Sequence, residues 1–256
     1  QEVMKKELTT VRPHTDQERA ALLAIEHNLK EIPVVDGENR LLGIVPYDAI
    51  LRVLRQEHIE DILKVAGVHG FKDPARDIIG APAILHFKKR LPWLIIGLLG
   101  GTVAAFIVDF FESALRIQII LASFIPAIVY IADAVGTQTE TIFVRSLALD
   151  RKLNFRGYFW RELRVVFLIA IVLSILISLL AYVLWPPAYL ALILGLSFFG
   201  AILAAMLIGI FLPLIFSKSN IDPAFASGPF ATVITDIVSL LIYFGIASAI
   251  VNGFTL

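Results

Sequence analysis

The sequence predicts an all-α membrane domain of five transmembrane helices, preceded by a small α+β module in the cytoplasm. Charged residues are divided unevenly along the 256-residue chain. Residues 1–90 contain 14 acidic and 14 basic residues, whereas the longer remainder contains 8 of each. Apolar types make up 58% of the chain, which exceeds their share in an ordinary soluble domain. We therefore expect the second part of the chain to lie in a membrane.

The first module is predicted to open with a helix. Thr15 and Glu18 have the spacing of a capping box, in which both side chains satisfy backbone groups at the helix start. Apolar residues then recur with helical spacing. We expect one buried stripe, formed by Ala21, Leu22, Ile25 and Leu29.

Two strands and a second helix complete the predicted module. Residues 32–35 and 41–45 are short apolar runs, and the turn-forming residues 36–39 separate them. Pro46 suits the first position of a helix that continues to about Val65. The module is therefore predicted to cover residues 1–66.

Residues 67–90 are predicted to connect this module to the membrane domain, residues 91–256. They are polar and contain several glycines and prolines. A helix over residues 74–89 would be bent at Pro82, because proline lacks the amide hydrogen of the helical ladder.

Five apolar spans follow. The first two cover about residues 91–111 and 117–135, and the last covers about residues 230–254. Residues 165–217 contain no charge and are too many for one helix across a hydrocarbon core of about 30 Å. We expect Trp185-Pro186-Pro187 to divide this run into the third and fourth spans.

Basic residues indicate the orientation, because they are enriched in cytoplasmic loops. With the N-terminal module in the cytoplasm, Leu256 lies outside, and only Arg116 is basic on the outer side. The chain starts at Gln1 and shows no signal peptide, so we expect a processed or truncated start. The basic residues beside the membrane on the cytoplasmic side are Lys88, Lys89, Arg90, Arg145, Arg151, Lys152, Arg156, Arg161, Arg164 and Lys218.

Composition excludes several classes. Cysteine is absent, so a disulfide scaffold is excluded, and the zero net charge argues against a nucleic-acid partner. No His and Cys cluster suits zinc, and neither a phosphate-binding loop nor a nucleophile elbow is present. We therefore expect no enzyme.

Acidic residues inside the spans are the strongest functional signal. A carboxylate in hydrocarbon costs about 2.5–3.5 kcal/mol on insertion scales, so it normally faces protein, water or an ion. Asp236 lies in the fifth span, where Thr232, Thr235 and Ser239 make the same wall polar. We interpret Asp236 as a cation ligand that faces a pore. The alternative is a structural role, in which Asp236 forms an interhelical hydrogen bond or lies near the helix end and extends its side chain to water.

The roles of the other acidic residues in or beside the spans remain open. Asp133 lies in the second span and is either a ligand or the partner of a loop arginine. Glu140, at the inner end of that span, is equally compatible with a site and with a structural role. Asp109 and Glu112 lie near the membrane–water interface, so contact with water is favoured over a role in a binding site. Carboxylates, hydroxyls, Gln138 and carbonyl oxygens together suit a hard cation such as Mg²⁺.

At these residues the sequence resembles the MgtE family of magnesium channels and transporters. The resemblance covers nearly the whole chain and rests on four stretches in the family's order and spacing. They are Arg90-Leu91-Pro92-Trp93-Leu94, residues 126–138 continuing to Arg145-Ser146-Leu147-Ala148, Asp222-Pro223-Ala224 with Ser227-Gly228-Pro229, and Thr235-Asp236.

The resemblance implies a homodimer in the cell membrane with a pore along its two-fold axis. Asp236 from both chains would then hold a hydrated Mg²⁺, with Asp133, Gly136, Gln138 and Thr232 along the same path. One departure concerns the family's asparagine in the second span, which falls at Ala134, with Asp133 one residue earlier. This departure leaves Mn²⁺ and Co²⁺ as alternative cargo.

Residues 32–36 and 42–45 resemble the signature strands of a CBS module, here in a single and incomplete copy. Two positions that contact nucleotide in such modules fall at Pro46 and Ala49. In the MgtE family, cytoplasmic Mg²⁺ bridges acidic residues and closes the pore. The candidates here, which also suit a solvated helix face, are Glu57, Glu60, Asp61, Asp73 and Asp77.

The leading hypothesis is therefore a divalent-cation channel or transporter, most consistent with Mg²⁺ and gated from the cytoplasm. An ion-coupled secondary transporter of another metal is the first alternative. An intramembrane aspartyl protease using Asp133 and Asp236 is the second, although the Gly-x-Gly-Asp pattern of such enzymes is missing.

Overall fold

The computed structural model describes residues 8–68, 79–112, 119–149, 153–219 and 228–254. They form two compact units. The first unit contains the described residues up to Leu63 and those from 79 to 85. The second unit contains Lys64–Val68 and the described residues from His86 onward. The predicted boundaries after residues 66 and 90 stay predictions.

The N-terminal unit has the predicted α+β composition. Its elements are α1 (Gln17–Glu26), β1 (Ile32–Val35), β2 (Leu41–Val45) and α2 (Tyr47–Val65). The strands pair antiparallel, with Ile32 opposite Val45 and an irregularity between Val34 and Val35. The Asp36 carboxylate accepts hydrogen bonds from the amides of Glu38 and Arg40, which closes the turn between the strands.

Two details of α1 differ from the prediction. Asp16 is the N-cap, and its carboxylate accepts a hydrogen bond from the Arg19 amide. The Thr15 hydroxyl instead accepts from the Arg12 amide, so it belongs to the preceding turn. The predicted stripe was also wrong at Ile25, which is exposed, because α1 buries Ala21 and Ala24 against the strands and α2.

In the described part of the chain, five helices are long and apolar enough to cross a membrane. This confirms the predicted number of spans. The helices are α3 (Ala83–Phe110), α4 (Ile120–Leu149), α5 (Phe155–Leu184), α6 (Tyr189–Lys218) and α7 (Pro229–Phe254).

The helices begin or end beyond several predicted spans. Helix α3 starts directly after Pro82, and α4 extends well past residue 135, because a helix satisfies its own backbone whether hydrocarbon or water surrounds it. The division of the uncharged run at Trp185-Pro186-Pro187 is confirmed, since α5 ends at Leu184 and α6 begins at Tyr189.

Helix α6 lies at the centre of the membrane unit and packs against α4, α5 and α7. Small residues on α6 allow this close packing. They include Gly195, Ala201, Ala205 and Gly209, all of which are buried. Helices α4 and α7 also pack on each other, so α4, α6 and α7 form a three-helix contact that positions the candidate site.

Tyr243 connects α7 to the beginning of α4. Its ring is fully buried, and its hydroxyl donates a 2.7 Å hydrogen bond to the Leu121 carbonyl oxygen. Leu121 lies in the first turn of α4, so the bond joins α7 to the start of that helix.

We predict that Tyr243→Phe lowers the free energy of unfolding by about 0.5–1.5 kcal/mol, because the Leu121 carbonyl loses a buried donor. Thermal unfolding of the full chain in detergent measures this change. Tyr182→Phe is the matched control, since Tyr182 is 65% exposed, and it should leave the midpoint unchanged. Equal midpoints for the two variants would contradict the assigned role of Tyr243.

Candidate cation site

Two polar stripes face the region where α4, α6 and α7 meet. On α4 the stripe consists of Asp133, Gly136, Thr137 and Glu140, at positions i, i+3, i+4 and i+7. Residues at this spacing lie on one side of a helix. The stripe on α7 has the same spacing and consists of Thr232, Thr235, Asp236 and Ser239. Each helix therefore presents a row of four polar or small residues on one face.

A crevice joins the two stripes. Three predicted site residues, Asp133, Gly136 and Thr232, line it together. Gln138 is exposed on α4, and neither Gln138 nor Asp236 belongs to the lining. The other lining residues are Thr137, Glu140, Ile208, Gly209, Ala231 and Thr235.

Glycines bring the helices together at this crevice. A Cβ atom added at Gly209 would lie 2.8 Å from the Gly136 carbonyl oxygen and 3.2 Å from the Glu140 nitrogen. A Cβ atom at Gly136 would meet Ala205 at 3.5 Å and the Thr235 hydroxyl at 3.7 Å. Helix α6 can therefore reach the polar face of α4 only because residue 209 has no side chain.

The acidic groups lie close to one another. Asp133 is near enough to interact electrostatically with both Asp236 and Glu140. Among the described residues, no basic side chain forms an ion pair with any of the three. Arg145 therefore does not form the ion pair with Asp133 that the alternative interpretation of Asp133 requires. Arg151 lies outside the described residues.

Buried oxygens of two acids lack partners. Neither Oδ1 of Asp236 nor Oε1 of Glu140 accepts a hydrogen bond within the described structure. The Ser239 hydroxyl, one turn after Asp236, is also buried and without a partner. A buried polar atom without a partner is unfavourable, so these oxygens are suited to a ligand that brings its own charge or water.

Glu162 on α5 provides a contrast. It is 8% exposed, and it accepts a 3.3 Å hydrogen bond from the Thr139 hydroxyl on α4. Its burial therefore has a structural explanation. Glu140, next to Thr139 in sequence, is 3% exposed and lacks such an explanation at Oε1.

The acidic side chains of the described residues do not form a metal-binding cluster within one chain. The described residues contain no group of three acidic, His or Cys side chains close enough to hold a bare metal ion. The available groups are carboxylates, hydroxyls and backbone carbonyls. They fit a cation that retains part of its hydration shell, as Mg²⁺ does.

Sequence reasoning placed Glu140 at the inner end of the second span but did not include it among the predicted site residues. The signal that identifies it is its position seven residues after Asp133, with Gly136 and Thr137 between them on the same face. Other residues named in the sequence analysis, Asp73, Asp77 and Asp222-Pro223-Ala224, lie outside the described residues.

Comparison with known families matches both units. Residues 125–246, which include both polar stripes, match the MgtE family, described as a divalent cation transporter. This match confirms the resemblance of the chain to the MgtE family. Residues 1–56 match the CBS domain, which confirms the resemblance of the N-terminal unit.

Three proteins named magnesium transporter MgtE are similar to this chain. The Bacillus subtilis protein is 36% identical over 93% of the chain and 52% of its own length. The Thermus thermophilus protein is 34% identical over 98% of the chain and 56% of its own length. The Enterococcus faecalis protein is 32% identical over 99% of the chain and 55% of its own length. The chain spans about half the length of these curated relatives.

We predict that Gly209→Ala destabilises this chain by about 1–3 kcal/mol, because the new methyl group would press against the α4 backbone. Thermal unfolding in detergent measures the loss. Gly101→Ala on α3 is the control, since a Cβ there meets nothing within 4 Å. An unchanged midpoint for Gly209→Ala would show that α4 and α6 do not approach as closely as described.

Proposed function

We propose that this chain forms a pathway for divalent cations across the membrane, with Mg²⁺ as the cargo. The observation that supports this most directly is the buried Oδ1 of Asp236, which has no partner and lies on a polar stripe of an otherwise apolar helix. A cation would neutralise that carboxylate, whose burial is otherwise unfavourable. The names of the three similar transporters agree with this cargo.

We further propose that the pathway lies at the axis of a homodimer. Each chain contributes one Asp236, and two facing carboxylates repel until a divalent ion lies between them. The arrangement is supported by the described residues of one chain, which contain no group of three acidic, His or Cys side chains close enough to hold a metal ion. Mg²⁺ releases water reluctantly, so a wide site can bind it through its hydration shell.

Gln138 would line this axis from α4, because it is exposed on its chain, while Asp133, Gly136 and Thr232 would form the adjacent wall. The N-terminal unit would lie in the cytoplasm and the C-terminus outside, as the basic residues indicate. Membrane potential would then drive entry, with about 2.3 kcal/mol per charge per 100 mV. Lipid would contact the exposed apolar faces of α3 and α5.

Asp236→Asn tests the proposal, because the amide keeps the side-chain shape and removes the charge. We predict that Mg²⁺ uptake into liposomes containing purified protein falls at least about tenfold, the usual result of weakening a metal's ligand shell. Asp236→Ala should lose at least as much. A Mg²⁺-sensitive dye inside the liposomes reports the rate.

Asp109→Asn is the matched control, because it removes the same charge from an exposed position at the end of α3. It should transport like the unaltered chain. Undiminished uptake by Asp236→Asn would contradict the assigned role. Repeating the assay with Mn²⁺ and Co²⁺ identifies the cargo, and a requirement for a sodium or proton gradient would favour the ion-coupled secondary transporter.

We also propose that cytoplasmic Mg²⁺ closes the pathway through acids of α2 and the connecting segment. Glu57, Glu60 and Asp61 lie on α2, where Glu57 accepts a hydrogen bond from Gln17 in the same unit. Crowded carboxylates repel one another until cations bind them.

Mg²⁺ on the cytoplasmic side should therefore slow uptake, and Glu60→Gln with Asp61→Asn should raise the concentration needed for half-inhibition. Uptake measured against internal Mg²⁺ tests this prediction. An inhibition curve unchanged by the double variant would exclude these two acids from gating.

A further inference from the structure

We infer that one side of α5 binds an anionic phospholipid, with the phosphate at Arg161 and Arg164 and an acyl chain in an apolar groove between α5 and α6. The inference goes beyond the proposed cation pathway and does not depend on it. Two features on the same side of α5 support it. They are a pair of exposed arginines and the groove, which begins two turns further along the helix.

The two arginines present positive charge at the start of the apolar part of α5. They lie one turn apart, both are exposed, and neither forms an ion pair within the described residues. The Arg161 guanidinium lies 5.2 Å from the centre of the Tyr158 ring, and this cation–π contact orients it. The neighbouring Trp160 is 50% exposed, and tryptophan is enriched at the level of phospholipid headgroups.

The charge around the two arginines is complementary to an anionic headgroup. Glu162 is the only acidic residue in the sequence of α5 and α6. It is 8% exposed and accepts a hydrogen bond from Thr139 on α4, so its carboxylate is directed into the bundle. An arginine can bind a phosphate through two parallel hydrogen bonds. The exposed side of α5 therefore favours a phospholipid with net negative charge.

The groove between α5 and α6 has a volume of about 620 Å³. Its wall includes Ile171 and Ile175 from α5 and Leu196 and Phe199 from α6. The hydroxyl of Ser178, which also lines it, donates a 2.9 Å hydrogen bond to a backbone carbonyl oxygen of α6. Water is unfavourable in a space with so few polar partners, so a hydrocarbon chain fits the groove.

The arginines and the groove are in register for one lipid molecule. Arg161, Arg164, Leu168, Ile171 and Ile175 follow one another at i, i+3, i+7, i+10 and i+14, so they lie on one side of the helix. The rise from Arg164 to Ile175 is about 16 Å. One leaflet contributes about 15 Å of a hydrocarbon core of about 30 Å. An acyl chain from a headgroup at Arg164 can therefore pass the exposed Leu168 and enter the groove.

Native mass spectrometry of the full chain in non-ionic detergent tests the phosphate position. The probes are dioleoyl phosphatidylglycerol and dioleoyl phosphatidylcholine, which share acyl chains and differ in net charge. We expect the first phosphatidylglycerol to bind about 30-fold more tightly, because each basic residue beside an anionic surface contributes about fivefold. Arg161→Gln with Arg164→Gln should abolish this preference. Arg145→Gln with Lys218→Gln should retain it, because this control removes two exposed charges near the ends of α4 and α6.

Ile175→Trp tests the groove, because the indole ring would fill it. This variant should lose the first bound lipid of either kind. Val172→Trp is the matched control and should retain that lipid. Val172 is 55% exposed and Ile175 is 61% exposed, but Val172 does not line the groove. Thermal unfolding establishes that each variant is folded before lipid binding is measured.

Three results would overturn the inference. The first is an unchanged preference for phosphatidylglycerol in the folded variant that lacks both arginines, or an equal loss in the Arg145 and Lys218 control. The second is equal lipid retention by Ile175→Trp and Val172→Trp. The third is dissociation of an oligomer by Ile175→Trp while lipid binding persists, which would show that a second copy of the chain covers the groove.

Discussion

The close contact of α4, α6 and α7 is the constraint on which the candidate site depends. Gly209 on α6 touches the α4 backbone at Gly136 and Glu140, and this contact brings the polar face of α4 against α6. Hydrophobic driving force between helices is weak in lipid, so close backbone packing must hold the bundle together.

This arrangement explains how acids persist in an apolar bundle. Tyr243 and Glu162 have hydrogen-bond partners on α4 and fix the neighbouring helices to it. The acids between these anchors have no basic partner among the described residues. Thr139, Glu162 and Tyr243 are therefore satisfied within the chain, whereas Oε1 of Glu140 and Oδ1 of Asp236 have no partner in the described structure.

Periodicity and composition predicted the elements well because each signal was local. The strands at 32–35 and 41–45 and the turn at Trp185-Pro186-Pro187 needed only hydrophobic patterning and proline chemistry. Asp16 was missed as a cap because Thr15 and Asp16 both favour that position, and the preceding turn decides between them. The crevice itself depends on how Gly209 and Gly136 meet, which is a property of two helices and not of either stretch alone.

The same geometry gives a physical meaning to the departure from the MgtE pattern. Ala134 occupies the position of the family's asparagine, on the side of α4 that also carries the exposed Gln138 one turn later. Neighbouring residues on a helix differ by about 100° in direction, so the acid at Asp133 faces the crevice with Glu140 instead. Thr137 is exposed and also lines the crevice, so it lies where the two faces meet. In this chain a polar side chain has therefore moved from the outer face of α4 to the contact between its own helices.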